Sequence, residues 1–198
     1  MHAKKLSGGV LDKVAHFDAK ADVEEYIREI GIPASFLLPG FFMSNLPRKM
    51  LRPSPVTNAW AFALPIPTNT PIPVIDTEAD TGKFVKGMII HRDRVLGKRI
   101  LRYISYYTPT QIVEEFKELK PEAGKDAVAM VVPDDVFKGF WAEFGMPETI
   151  QEEMLQNMKL MSEYGYYAGE DLMESHSVSR TTQHRMVFAN STRFSMSH

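Results

Sequence analysis

Between Lys13 and Gly40 the chain reads as a helix, a tight turn and a buried strand in immediate succession, and this unit constrains the fold most. Val23, Tyr26, Ile27 and Ile30 fall at i, i+3, i+4 and i+7, which is one apolar stripe of a helix over about residues 13–30. Glu24, Glu25, Arg28 and Glu29 take the other side. Gly31 suits the left-handed position past a helix end, and Pro33 blocks continuation. Residues 34–38 are a short, almost continuously apolar run closed by Pro39-Gly40, the pattern of a buried strand. A helix returning directly into such a strand predicts an α/β sheet. In such sheets ligands bind at the carboxyl ends of the strands, here at residues 41–46.

Further along, six prolines between Pro53 and Pro73 predict extended or turning chain, with one strand at 59–64. Asp80 is expected to cap a helix to about His91 that buries Phe84, Val85, Met88 and Ile89. Residues 99–105 read as a strand. Thr108-Pro109-Thr110-Gln111 is a helix start with Thr as cap, Pro at the first position and Gln at the third. Ile112, Val113, Phe116 and Leu119 are that helix's inner stripe. A strand at 127–132 precedes a helix capped by Asp134 that buries Val136, Phe137, Phe140, Trp141 and Phe144. Pro147 opens the last long helix, with Ile150, Met154, Met158 and Met161 on one side and Gly165 at its end. The methionines read as core or as a partner-facing surface. After Ser177 no periodicity remains, and a disordered tail is expected.

The chemistry is bounded by composition. The chain has 198 residues, no cysteine and a net charge of -2, which excludes thiolate metal sites, disulfides and a cysteine nucleophile and argues against a mainly electrostatic nucleic-acid binder. No signal peptide or membrane span is visible, so a cytoplasmic or nuclear location and no membrane partner are expected. The six histidines show no metal-ligand spacing, and no metal is expected. Gly82 and Gly87 have phosphate-loop spacing, but Met88 stands where that motif needs lysine, and the segment reads as helix. No G-x-G-x-x-G occurs. The basic run Arg92, Arg94, Lys98, Arg99 and Arg102 reads as a solvated edge. His16 and Lys20, four apart, share a helix face. The lysine can hydrogen-bond a ribose and the histidine can donate a proton; a solvated face has the same spacing.

The segment from His16-Phe17-Asp18-Ala19-Lys20 through Tyr26-Ile27-Arg28, continued by Gly31-Ile32-Pro33-Ala34-Ser35-Phe36 and Pro39-Gly40-Phe41-Phe42-Met43-Ser44-Asn45-Leu46, resembles the NmrA-like family. So do Ile75-Asp76 with Asp80-Thr81-Gly82, Tyr106-Tyr107-Thr108-Pro109, and Gly165-Tyr166-Tyr167, in the family's order. The family belongs to the atypical short-chain dehydrogenase/reductases. The resemblance implies part of a Rossmann-type parallel sheet plus a small α/β C-terminal subdomain, NAD or NADP as cofactor, and a regulatory, redox-sensing or oxidoreductase-like role with a transcription-factor-type protein partner. It places Lys20 at the nicotinamide ribose, and Phe42, Met43, Ser44 and Asn45 against the nicotinamide. His16 falls where short-chain dehydrogenases carry their catalytic tyrosine.

The same resemblance divides the chain into residues 1–52, the last helix and strand of an NAD(P)-binding Rossmann domain; residues 53–176, mostly the substrate or partner subdomain; and residues 177–198, an atypical tail. The family's first strands and glycine motif have no counterpart here, and Thr181-Thr182-Gln183-His184-Arg185 stands where the family has a Thr-Trp-x-x-Phe-like helix. The expectation is a truncated product, catalytically inactive alone. The alternatives are a protein-interaction module using the C-terminal subdomain, and a reductase of the isoflavone- or quinone-reductase kind completed by an N-terminal half from another polypeptide.

Overall fold

A computed structural model describes residues 1–46, 50–54 and 57–170. A one-turn helix α1 (Ala3–Leu6), which no local signal announced, precedes α2 (Ala15–Glu29). The predicted turn and strand follow as β1 (Phe36–Pro39). Gly40 then carries the chain directly into β2 (Phe41–Phe42) and a 3-10 turn over Met43–Asn45. A Cβ at Gly40 would lie 2.5 Å from the Pro73 carbonyl oxygen, so only glycine lets the two segments approach. Next come β3 (Leu51–Pro53), β4 (Trp60–Leu64) and β5 (Ile72–Ile75). β3 and β5 fall within or beside the proline-rich stretch that was expected to be loop. Pro53 sits at the end of β3 and Pro73 lies on β5.

The rest alternates: α3 (Thr77–Ile90), α4 (Arg92–Val95), β6 (Arg99–Arg102), β7 (Ser105–Tyr107), α5 (Pro109–Leu119), α6 (Pro121–Gly124), β8 (Val128–Val131), α7 (Asp134–Ala142) and α8 (Glu148–Glu163). The single strand expected over 99–105 is two strands in different sheets. β6 pairs parallel with β1, setting Phe36 opposite Arg99 and Pro39 opposite Arg102. β7 pairs antiparallel with β5, whose other edge takes β2 in parallel. The third sheet is centred on β4, antiparallel to β3 and parallel to β8. The fold is mixed α/β with parallel strand pairs in all three sheets. β1 lies before residue 52 and β6 after it, so backbone pairing joins the two segments expected from the sequence. The 177–198 tail lies outside the described residues.

The largest core gathers Phe62 and Leu64 of β4, Ile112, Val113 and Phe116 of α5, Phe137 of α7, and Leu155, Met158 and Met161 of α8. A second cluster covers one face of β1–β6, where Leu37 and Ile100 meet Phe84 of α3. The opposite face of β1 looks toward α2, with the Arg28 guanidinium 4.6 Å from the centre of the Phe36 ring.

Three local expectations are corrected. Asp76, not Asp80, caps α3: its Oδ1 accepts from the Glu78 and Ala79 amides at 3.0 and 2.9 Å. Asp80 lies one turn in, fully buried and paired with Lys83 at 2.7 Å. Of the residues expected to be buried on this helix, Phe84 faces inward while Val85 and Ile89 are exposed. Asp134 begins α7 without capping it, because Pro133 holds the cap position. The third correction is the largest. On α2 the apolar row is outside, with Val23, Tyr26 and Ile30 at 58%, 61% and 47% exposure, while Glu24 is buried. An ion pair to another element holds the helix this way: Glu24 accepts from Arg99 of β6 at 2.8 Å, and Arg28 of α2 itself adds a second donor at 2.8 Å.

Candidate functional site

α2, β1, the β2 turn and α8 surround a cavity of about 750 Å³. The inner face of α2 contributes His16, Phe17, Lys20, Ala21 and Glu24; β1 contributes its whole length; α7 and α8 contribute Trp141, Met154, Asn157 and Met158. The lining is mostly aromatic and aliphatic, with a few convergent polar groups, the usual character of a small-molecule site.

His16 stands in the first turn of α2. Its neighbour Val14 offers no side-chain cap, and the missing acceptor comes from α8: Glu153 Oε1 takes the His16 amide at 2.8 Å and lies 2.5 Å from His16 Nδ1. The ring is also held edge-on against Phe17, with centres 4.9 Å apart. One turn on, Lys20 is exposed at the cavity and makes no hydrogen bond or ion pair among the described residues. One further turn on, Glu24 is subject to two opposing effects. Burial pushes its carboxyl up, and the hydrogen bonds from Arg99 and Arg28 outweigh this and hold it below the ordinary glutamate range.

Of the four residues expected at the nicotinamide, Phe42 and Asn45 line the cavity. Met43 and Ser44 do not: Met43 is packed into the main core, and Ser44 is exposed on the outer side of the 3-10 turn. The tight turn splits the four residues between two directions, which sequence order alone does not reveal.

Several residues in or behind the cavity wall had no sequence signal as a site. Glu153 belongs to no motif and no apolar stripe. Tyr166 and Tyr167, which the sequence marks only through the family resemblance, both line the cavity. The Tyr167 hydroxyl bridges the carbonyls of Leu38 and Arg102, at 3.4 and 3.2 Å, tying the ends of β1 and β6 together. Burial pushes both hydroxyls well above the ordinary tyrosine range. Gly165, at φ 78°, lets the chain reverse after α8 and present them.

The basic run is not a solvated edge throughout. Arg99 pairs with Glu24 and Glu170, and Arg102 is 3% exposed, donating to Thr81 Oγ1 and to the carbonyls of Asp76 and Thr77. The segment Asp76–Thr81 is thereby accounted for as an anchor between β6 and α3. Gly82 and Gly87 lie inside α3, which removes the phosphate-loop reading. No helix among the described residues is long and apolar enough to cross a membrane.

Comparison with known proteins places this architecture. Over 109 residues, 50% of this chain, the sequence is 33% identical to the nitrogen metabolite repression protein nmr of Neurospora crassa, of which the matched part is 21%. The fold is similar to that of NmrA, a negative transcriptional regulator in complex with NAD, with TM-score 0.58 and 15% identity over 83% of this chain and 53% of that one. It is also similar to an NADPH-dependent quinone oxidoreductase of Escherichia coli complexed with NADPH, with TM-score 0.58 and 15% identity over 82% and 54% of the two chains. The chain thus spans about half the length of these structures. A family model described as the NmrA-like family matches residues 1–187, and the chain belongs to that family.

Proposed function

We propose that the cavity holds the nicotinamide-ribose half of NAD or NADP, in a protein of regulatory, redox-sensing or oxidoreductase-like type. The observation that carries this reading is the convergence of Lys20, Phe42 and Asn45, from separate elements, on one cavity. Lys20 would hydrogen-bond the ribose, and Phe42 and Asn45 would flank the ring. Met43 and Ser44 shape the turn that presents them. His16, beside Lys20, is the candidate for proton transfer. When bound, the dinucleotide supplies hydride chemistry; the chain's own part is to hold it, exclude water with the aromatic lining, and place His16. In this division residues 1–52 carry the nucleotide side and residues 53–176 the substrate or partner side.

The residues present fit the nicotinamide half and not the diphosphate. A diphosphate is held by backbone N–H groups at a glycine turn and a helix N-terminus. The sequence contains no such turn, and the first turn of α2 is already capped by the Glu153 carboxylate, which repels an anion. Each charge-assisted hydrogen bond contributes about 1.5–3 kcal/mol, so two or three that these residues do not make to the diphosphate correspond to about a hundredfold or more in affinity.

Calorimetric titration tests this. Nicotinamide mononucleotide and NADP are expected to bind weakly and within a few-fold of each other, and Lys20→Ala is expected to weaken both. Equal or tighter binding of ADP-ribose, or indifference to Lys20→Ala, overturns the reading.

A second reading is an interaction module that engages a transcription-factor-type protein in the cytoplasm or nucleus. It is favoured by the exposed apolar row Val23, Tyr26 and Ile30 on α2 and by Ile89 and Ile90 on α3. Glu substitutions at Val23 and Tyr26 together would abolish partner capture while leaving the nucleotide titration unchanged. Capture unaffected by the double change removes the α2 row from that role.

A further inference from the structure

We propose that His16 and Glu153 form a proton-accepting pair in the cavity, with Glu153 as positioning residue, and that the pair acts on the ionisable hydroxyl of a bound aromatic molecule of phenol type. This deepens the reading above and rests on it only in taking the cavity as a ligand site.

Glu153 stands behind His16. It does not line the cavity, its side chain is 13% exposed, and one oxygen, Oε1, meets both the amide and Nδ1 of His16 at 2.8 and 2.5 Å. A carboxylate can only accept, so Nδ1 carries the proton, and in the neutral form of the ring the lone pair sits on Nε2. Nε2 has no protein partner among the described residues, and His16 itself lines the cavity. A carboxylate behind an imidazole fixes its tautomer and stabilises the imidazolium formed when the outer nitrogen takes a proton.

The other titratable groups around the cavity are accounted for. Burial raises Tyr166 and Tyr167, which stay neutral hydroxyls. Glu24 is tied to Arg28 and Arg99. The Met1 amine reaches the cavity beside Arg99, lowered by burial and by that charge. Lys20 shares the helix face with His16 and carries the cation that an oxyanion would meet. Phe42, Trp141, Ile150 and Met154 supply apolar walls suited to a planar ring. In the step, the ligand O–H bond breaks, the Nε2–H bond forms, and the electron pair stays on the oxygen facing Lys20. No electron is exchanged, so no oxidant or reductant enters.

The test uses para-nitrophenol, which absorbs visible light only as its phenolate, titrated with the full chain at a pH below the probe's own midpoint. Bound probe is expected to show a phenolate-to-phenol ratio about tenfold above free probe, one unit of probe pKa. Glu153→Gln retains an oxygen that can accept both His16 donors, so it keeps the α2 cap and the thermal midpoint while removing the charge; the gain is expected to vanish. His16→Gln is expected to lose it as well, with the Met1 amine untouched, and Glu153→Asp to restore part of it. No gain in the wild type, or a gain that survives either Gln variant, overturns the pair. If Glu153→Gln does not fold, His16→Gln decides. Nicotinamide mononucleotide titrated into the same preparations separates the two claims: loss of nucleotide binding with the phenolate gain intact overturns the nucleotide reading alone, and the converse overturns the pair alone.

Discussion

α5 and α2 are held in the molecule by different forces. α5 is capped from within by its own sequence: Thr108 Oγ1 accepts from the Gln111 amide at 3.2 Å, and Gln111 Oε1 accepts from the Thr108 amide at 2.9 Å. Its inner stripe is sealed, with Ile112 at 0%, Val113 at 2% and Phe116 at 0% exposure. α2 borrows its cap from Glu153, 137 residues away, and is held in its rotation by the ion pair of Glu24 with Arg99 of β6. It presents a polar face to a cavity and an apolar row to the outside. A stripe of apolar residues reports which face of a helix is buried only when the helix packs on a filled core. Beside a cavity, charges fixed by other elements can set the rotation.

The contrast can be broken most strongly on the α5 side. Phe116→Ala empties a fully buried site in the main core and is expected to cost about 3–5 kcal/mol, read by urea unfolding. A loss below about 1 kcal/mol would mean that this core is not closed. On the α2 side, Glu24→Gln removes a charge bonded to both Arg28 and Arg99, and a loss of about 1–3 kcal/mol is expected at neutral pH. Because the Glu24 carboxyl is held below its ordinary range, its contribution is complete above the unfolded value near 4.5 and fades as pH falls through the lower folded value. Wild type and Glu24→Gln should therefore converge in stability under acid. A constant difference down to strongly acid pH would show that the charge is not what turns the helix.

Smaller effects sharpen the same comparison. Thr108→Ala removes half of the reciprocal cap of α5 and is expected to lower stability by about 1 kcal/mol. Val23→Gln, on the outward row of α2, is expected to change stability by less than about 0.5 kcal/mol. A loss as large as that of a core residue would place Val23 in a packed interface and reverse the orientation of α2 described here.

What could be read from the residues follows from the range of the forces involved. The turn at Gly31-Ile32-Pro33, the reciprocal cap at Thr108 and Gln111 and the inner stripe of α5 rest on contacts within a few positions, so spacing alone exposes them. The α/β class and the family were legible for the same reason, through local segments such as His16 to Lys20 and Pro39 to Asn45. Of the site, the pairing of His16 with Lys20 on one helix face was visible, being one turn of helix.

The tertiary structure decided the rest. Residue spacing carries no record of Glu153 reaching His16, of β1 pairing with a strand some sixty residues later, or of which of the four residues from Phe42 to Asn45 turn toward the cavity. Nor could it say that Glu24 would lie inside and Val23 outside. That choice depends on Arg99, which reaches α2 only once β6 has docked beside β1. Local sequence fixes short-range hydrogen bonds and helix periodicity; burial of charge and the shape of a cavity depend on groups that only folding brings together.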